Sequence, residues 1–183
     1  MGDNSLYTLT VNNENVHLVL ANAVQSEQYY HHCFCPLDTT VAIMTGSKPV
    51  FKKEEVIHFF KQSLKDTQRK WLLIVTDDKI IGECVFMDMN NQGYAHFRMA
   101  IFDKDYRGLG IGKWALQQSM EYAFNVLGLS KIELEVFEFN PTAKQLYLSL
   151  GFQVVACVKD KSDYDEQNYD KWIMVLNFLQ NPK

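Results

Sequence analysis

Three glycines at alternate positions, in Arg107-Gly108-Leu109-Gly110-Ile111-Gly112, constrain this chain more than any other feature. Their context gives them that force. Before them Tyr94 to Phe102 alternates, with Phe97, Met99 and Ile101 on one face and His96 and Arg98 on the other. After them Leu116, Met120, Ala123, Phe124 and Leu127 mark one stripe of an amphipathic helix that Gly128 can stop. Strand, tight turn and helix in that order present unpaired N–H groups and the positive end of a helix dipole. A pyrophosphate needs several such donors at close range. The glycines keep side chains out of its way, while Arg107 and Lys113 add positive charge. Spacing excludes two other phosphate loops. A dinucleotide fingerprint starting at Gly108 requires glycine where Lys113 stands, and a Walker A loop requires Ser or Thr where Trp114 stands. On the glycines alone, a strand-to-helix turn that binds nothing stays open.

The rest of the chain reads as one domain, since no repeat or Pro/Gly/Ser-rich linker divides its 183 residues. Val16 to Leu20 alternates and reads as a first strand. Ser26 to Phe60 predicts one or two helices around a loop at Gly46–Pro49, with Lys53 to Lys65 helical. Trp71–Thr76, Lys79–Met89 and Tyr94–Phe102 form an antiparallel meander through turns at Asp77-Asp78 and Asn90–Gly93. Lys131 to Phe137 is a further strand. Asn140-Pro141 opens a short helix closed by Gly151, and Phe152–Val158 and Trp172–Phe178 are the last strands. The fold class is α/β: a mixed, mostly antiparallel central sheet of about six to seven strands flanked by helices on both faces.

Two blocks carry a resemblance. Arg107, Gly110 and Gly112 match the Q/R-x-x-G-x-G/A motif, and Asn140, Ala143, Tyr147 and Gly151-Phe152 match N-x-x-A-x-x-x-Y-x-x-x-G-F. With a strand between them, they resemble the acetyl-CoA site of the GNAT N-acetyltransferase superfamily. The likeness covers residues 71 to the C-terminus well and the first 60 loosely. Tyr169 to Leu176 is similar to the branch holding ribosomal-protein N-terminal and spermidine acetyltransferases. The resemblance implies acetyl-CoA as co-substrate, bound by Arg107, Gly108, Leu109, Gly110, Ile111, Gly112 and Lys113. It implies a pantetheine arm lying beside Ile101 and touching Asn140, and an amine attacking the thioester directly.

That chemistry sets its own demands. An amine of pKa about 10.4 is almost wholly protonated at neutral pH, so a base or a site that disfavours the cation must help. The developing oxyanion needs a donor, which the resemblance places on the backbone near Ile101. The thiolate, with an ordinary value of about 8.5, needs modest acid help; Tyr147 holds the family's acid position, though its spacing also suits a core residue. Glu135 resembles the base of some relatives. Glu83, His96 or a water chain are its rivals, and each side chain also suits an ordinary strand position.

Composition bounds the partners. Hydrophobic residues are 47% and charged residues 22%, ordinary globular usage. A net charge of −4 and a pI of about 5.7 argue against nucleic acid. With Asp77, Asp78, Glu54 and Glu55, that acidity favours a cationic acceptor, a polyamine or a peptide N-terminus. No apolar run reaches the roughly 20 residues of a membrane span, and Met1 to Ser5 lacks a signal pattern, so a cytoplasmic protein with reduced cysteines is expected. His31-His32-Cys33-Phe34-Cys35 invites a metal, but structural sites draw paired ligands from two segments, so no metal is expected. A homodimer is carried forward as the expected assembly. The alternative function is a non-catalytic acyl-CoA-binding regulatory domain, against which Tyr147 stands.

Overall fold

The computed structural model describes residues 5–178; Met1 to Asn4 of the polar N-terminus read above lie outside them. Eight strands form a single sheet: β1 (Ser5–Val11), β2 (Glu14–Leu20), β3 (Lys70–Val75), β4 (Ile80–Met87), β5 (Tyr94–Ile101), β6 (Lys131–Phe137), β7 (Gln153–Lys161) and β8 (Asn168–Asn177). Their order is β1-β2-β3-β4-β5-β6-β8-β7. Every neighbouring pair is antiparallel except β5 and β6. Five helices flank it: α1 (Ser26–Cys33), α2 (Thr39–Thr45), α3 (Lys53–Ser63), α4 (Ile111–Asn125) and α5 (Pro141–Ser149).

The fold class stands, with one strand more than expected. β1 is the addition, and it pairs with β2 through a two-residue turn in which Asn12 and Asn13 both take positive φ (50° and 65°). Asparagine tolerates that conformation, which matches the twist of the flanking strands. The first 60 residues hold three helices rather than one or two. Asp38 caps α2 by accepting from Val41 N–H (3.1 Å), and Gly46 at φ 65° ends it. The meander, β6 and the last two helices lie within a few residues of their expected bounds.

Strand alternation sorts the interior into two cores. β4 is buried along almost its whole length, as a central strand covered on both faces must be. Cys84, Phe86, Phe97, Ile132 and Leu134 pack toward α4 and α5 with Leu116 and Tyr147. Trp71, Leu73, Val85 and Phe102 pack toward α1–α3 with Tyr29 and Phe60. The first face carries the glycine turn's helix. The second carries the helices of the N-terminal third.

Candidate active site

β5 and β6 run parallel, but they pair only across Tyr94–His96 and Lys131–Glu133. Beyond His96 they part. Phe102 N–H donates to Ile81 O (2.8 Å), which sets the alternation of β5. Residues two apart bond to β4, so the N–H groups of Phe97, Met99 and Ile101 face the gap toward β6. Ile101 O is taken by Arg107 Nε (3.0 Å). Its N–H is left aimed into the gap, where the sequence expected an oxyanion donor.

At the foot of the gap, α4 begins at Ile111 with Gly110 as N-cap and no side-chain capping bond. The first-turn N–H groups of Ile111, Gly112 and Lys113 are therefore open to an anion. Gly108 and Gly110 sit at φ 76° and 81°, where side chains are strained, and a Cβ on either meets nothing within 4 Å. The turn is thus an open concavity of donors, and the residues fit the pyrophosphate of acetyl-CoA. Leu109 and Lys113 are exposed at its rim.

The Arg107 side chain is held by partners within the protein. Its guanidinium donates to Ile101 O, Phe102 O (2.7 Å) and Asp38 Oδ1 (3.0 Å), and its N–H donates to Lys104 O (3.2 Å). The guanidinium thereby ties the turn to the end of β5 and to the cap of α2. Burial works against the charged form of Asp38, but the Val41 N–H and Arg107 outweigh it and hold its carboxyl below the usual range.

Above the turn lies a cavity of about 590 Å³, with Phe97 and Met99 on one side and His96, Arg98, Glu83 and Glu135 on the other. Tyr147 lines it from α5, its ring 5.6 Å from Phe152. Burial, with the nearby Cys84, pushes the phenol well above its ordinary value, so it holds its proton at neutral pH. Asn140 caps α5 by accepting from Ala143 N–H (3.2 Å), and its Nδ2 donates to Met44 O (3.2 Å). One side chain thereby starts α5 and fastens α2 across the mouth of the gap.

The candidate bases separate by environment. Glu135 is exposed and ion-paired to Lys171 at 2.5 Å; Lys171 is also bonded to Asp160 and half-buried. Burial opposes the charge of Lys171, yet those two carboxylates lift it above the usual lysine range. Glu83 is buried, accepting from Tyr29 Oη (2.6 Å) and Trp71 Nε1 (2.9 Å), with Arg98 Nη2 at 3.3 Å. His96 also lines the cavity. Lys171, Tyr29 and Trp71 went unread in the sequence, where nothing but apolar or ordinary strand patterning surrounds them. Of the acidic residues expected to favour a cationic acceptor, Asp77 and Asp78 stand on the exposed β3–β4 turn, Glu54 is exposed, and Glu55 lines the cavity, paired with Lys48 at 3.6 Å.

Part of the His31–Cys35 segment is spent on structure, while His31 and Cys35 stay exposed. His32 Nδ1 accepts from Ile80 N–H (3.1 Å), and Cys33 is buried. Among the described residues no group of three or more His, Cys, Asp or Glu gathers as metal ligands, and no helix is long and apolar enough to cross a membrane.

Comparison with known proteins bears on this geometry. The chain is 27% identical over 107 residues to the acetyltransferase PseH of Campylobacter jejuni, covering 58% of this chain and 66% of that protein. It is 26% identical over 121 residues to the spermidine N(1)-acetyltransferase of Escherichia coli K12, covering 64% of each. It thus spans just under two thirds of the length of these relatives. A crystal structure of spermidine N-acetyltransferase from Vibrio cholerae, in complex with CoA and spermine, superposes with a TM-score of 0.77 at 18% identity, covering 88% of this chain and 95% of that one, which establishes the shared fold. Residues 37–152, which include the glycine turn, the parted strands and Tyr147, match the acetyltransferase (GNAT) family, and the chain belongs to it.

Proposed function

We propose that the protein is an N-acetyltransferase that moves an acetyl group from acetyl-CoA to a primary amine, by direct attack with both substrates bound. The observation that carries this is the parting of β5 and β6 between an anion-binding helix start and a cavity lined by Tyr147. Acetyl-CoA supplies the activated thioester. The N–H groups of Ile111, Gly112 and Lys113 hold its pyrophosphate, with Gly108, Leu109 and Gly110 shaping the turn. The Ile101 N–H stands where negative charge develops on the acyl oxygen. Glu135, with Lys171 as its counter-charge, takes the proton from the attacking nitrogen, and Tyr147 gives one to the departing sulfur. The residues act in the cytoplasm in this reading, where four free thiols are at home. The acceptor is a polyamine or a peptide amine, and a homodimer is the proposed assembly.

Purified protein incubated with acetyl-CoA and an amine panel, with free CoA followed by chromatography, tests the reading. Acetylated amine and CoA in equal amounts are expected. Acetyl-CoA binding without turnover on any amine would instead mark an acyl-CoA-binding regulatory domain. Tyr147→Phe is expected to lower kcat by about 10²-fold while leaving the KM for acetyl-CoA nearly unchanged. Full activity in that variant would remove Tyr147 from the acid role.

A further inference from the structure

Glu83 is the one charged residue within the otherwise apolar run of β4, and its side chain is only 5% exposed. A carboxylate so deep must be compensated. Its Oε2 is, by the Tyr29 hydroxyl and the Trp71 indole N–H. Both donors are fixed: Tyr29 stacks on Phe60 at 4.5 Å and meets Trp71 edge-on at 5.5 Å. Oε1 is less well served. Its partner is Arg98 Nη2 at 3.3 Å, longer than the roughly 2.7–2.9 Å of a charge-assisted hydrogen bond.

The two members of this pair differ in freedom. Glu83 is clamped, whereas the Arg98 side chain is 45% exposed and lies 5.8 Å over the Trp71 ring. Both line the cavity on the α1–α3 side. Other carboxylates there are less suited to a ligand: Glu55 is half-exposed with Lys48, Glu135 is bonded to Lys171, and Asp163 is exposed to solvent rather than buried among the aromatic rings. Glu83 is also the cross-strand partner of Ala100, between the Met99 and Ile101 whose N–H groups face the gap. The surrounding wall is aromatic, with Phe34, Phe51, Phe59 and Phe102.

We propose that Glu83 Oε1 is the seat of the acceptor's ammonium group, with Arg98 the counter-ion that the acceptor displaces, and that the acceptor carries its amine on an apolar or aromatic body. This favours a peptide amine with an apolar first side chain over a polyamine. The assignment rests on the amine-acetyltransferase reading of the same cavity. It makes Glu83 a specificity-determining residue, distinct from the proposed base. An incoming ammonium reaches a rigid, preorganised carboxylate flanked by aromatic faces, while the guanidinium swings to solvent.

Titration of the full chain with 2-phenylethylamine and with its neutral analogue 2-phenylethanol tests the seat without requiring turnover. The wild type is expected to prefer the amine. Glu83→Gln keeps the shape and should weaken amine binding by about thirtyfold or more, with little effect on the alcohol. Arg98→Gln removes the competing cation and should tighten amine binding by roughly threefold or more. Acetyl-CoA affinity should stay within about twofold in both, since neither residue touches the glycine turn. An unchanged amine-to-alcohol ratio in Glu83→Gln, or weaker amine binding in Arg98→Gln, overturns the proposal. Arg98 is half-exposed, so its variant decides the matter if Glu83→Gln does not fold. Amine binding that depends on Glu83 in a protein without acetyl transfer would uphold the seat and sink the enzymatic reading; transfer with Glu83-independent binding would do the reverse.

Discussion

At Gly110 two demands meet that no other residue type satisfies together. The backbone sits at φ 81°, and the space that a side chain would enter is the space an anion would occupy. Alanine there would cost about 1 kcal/mol for the left-handed backbone and leave most of the space open. Gly110→Trp is expected to fill it, lowering acetyl-CoA affinity by about 10²-fold or more while the melting midpoint falls only slightly. Isothermal titration with CoA checks this, and unchanged affinity would refute the phosphate assignment. These glycines were legible in the sequence because spacing alone reports their job. The carboxylate partner of Arg107 was not, because a guanidinium beside an anion-binding turn suits an anion and a carboxylate equally well. Only the fold brings Asp38, 69 residues away, within 3.0 Å of it.

That contact belongs to a larger arrangement of elements. α2 is fastened over the gap by two polar side chains: Arg107 holds its N-cap, and Asn140 holds the Met44 carbonyl near its end. The glycine turn, the N-terminal helices and α5 are thereby coupled through a seven-residue helix. Asp38→Asn separates the two duties of Asp38, because asparagine caps a helix as well but carries no charge for Arg107. At pH 7 the variant is expected to lose about 0.5–1 kcal/mol of stability and roughly two- to fivefold in acetyl-CoA affinity. The pH dependence has a definite sign. A carboxyl held below its unfolded value of about 3.9 contributes stability that is fully present above that value and lost as pH falls through the folded one. The difference between wild type and variant should therefore shrink as urea melts are moved from pH 5 toward pH 3. A constant difference would show that the charge of Asp38 does not act. Element boundaries from β3 to α5 were readable because alternation, helical spacing and glycine stops agree there. β7 instead runs on to Lys161, three residues past the expected Val158, and β8 starts at Asn168, four before the expected Trp172, because no glycine or proline marks those ends. The hairpin of β1 and β2 had an equally physical signal in Asn12-Asn13, but β1 is only half-buried, and its mixed surface blurs the period on which strand reading depends. The parting of β5 and β6 was invisible to periodicity, since alternation reports which way side chains point and says nothing of where a ladder ends.

Over the whole molecule, one sheet presents two differently lined faces because each is covered by different helices. The α4–α5 face holds the glycine turn and Tyr147, and the α1–α3 face holds Glu83, Glu135 and the aromatic wall. Both cores lean on the same central strands, so neither can melt while the other persists; unfolding should be a single transition. Function should nevertheless divide. Phe60→Ala empties a site that stacks on Tyr29 and lies 4.8 Å from Trp71, the two donors that fix Glu83. It is expected to cost about 3–5 kcal/mol and to raise the KM for amine, with acetyl-CoA affinity nearly preserved. Leu116→Ala in α4 should cost about 2–5 kcal/mol and act the other way, weakening acetyl-CoA because the first turn of α4 loses its footing on the sheet. Urea melts followed by both circular dichroism and tryptophan fluorescence give the stability, and steady-state kinetics with each substrate varied give the division. Trp71 and Trp114 partly report on opposite faces, so two non-coincident transitions would show that the cores fold apart. If both variants instead weakened amine and acetyl-CoA alike, the sheet would be transmitting the damage, and the assignment of one substrate to each face would fail.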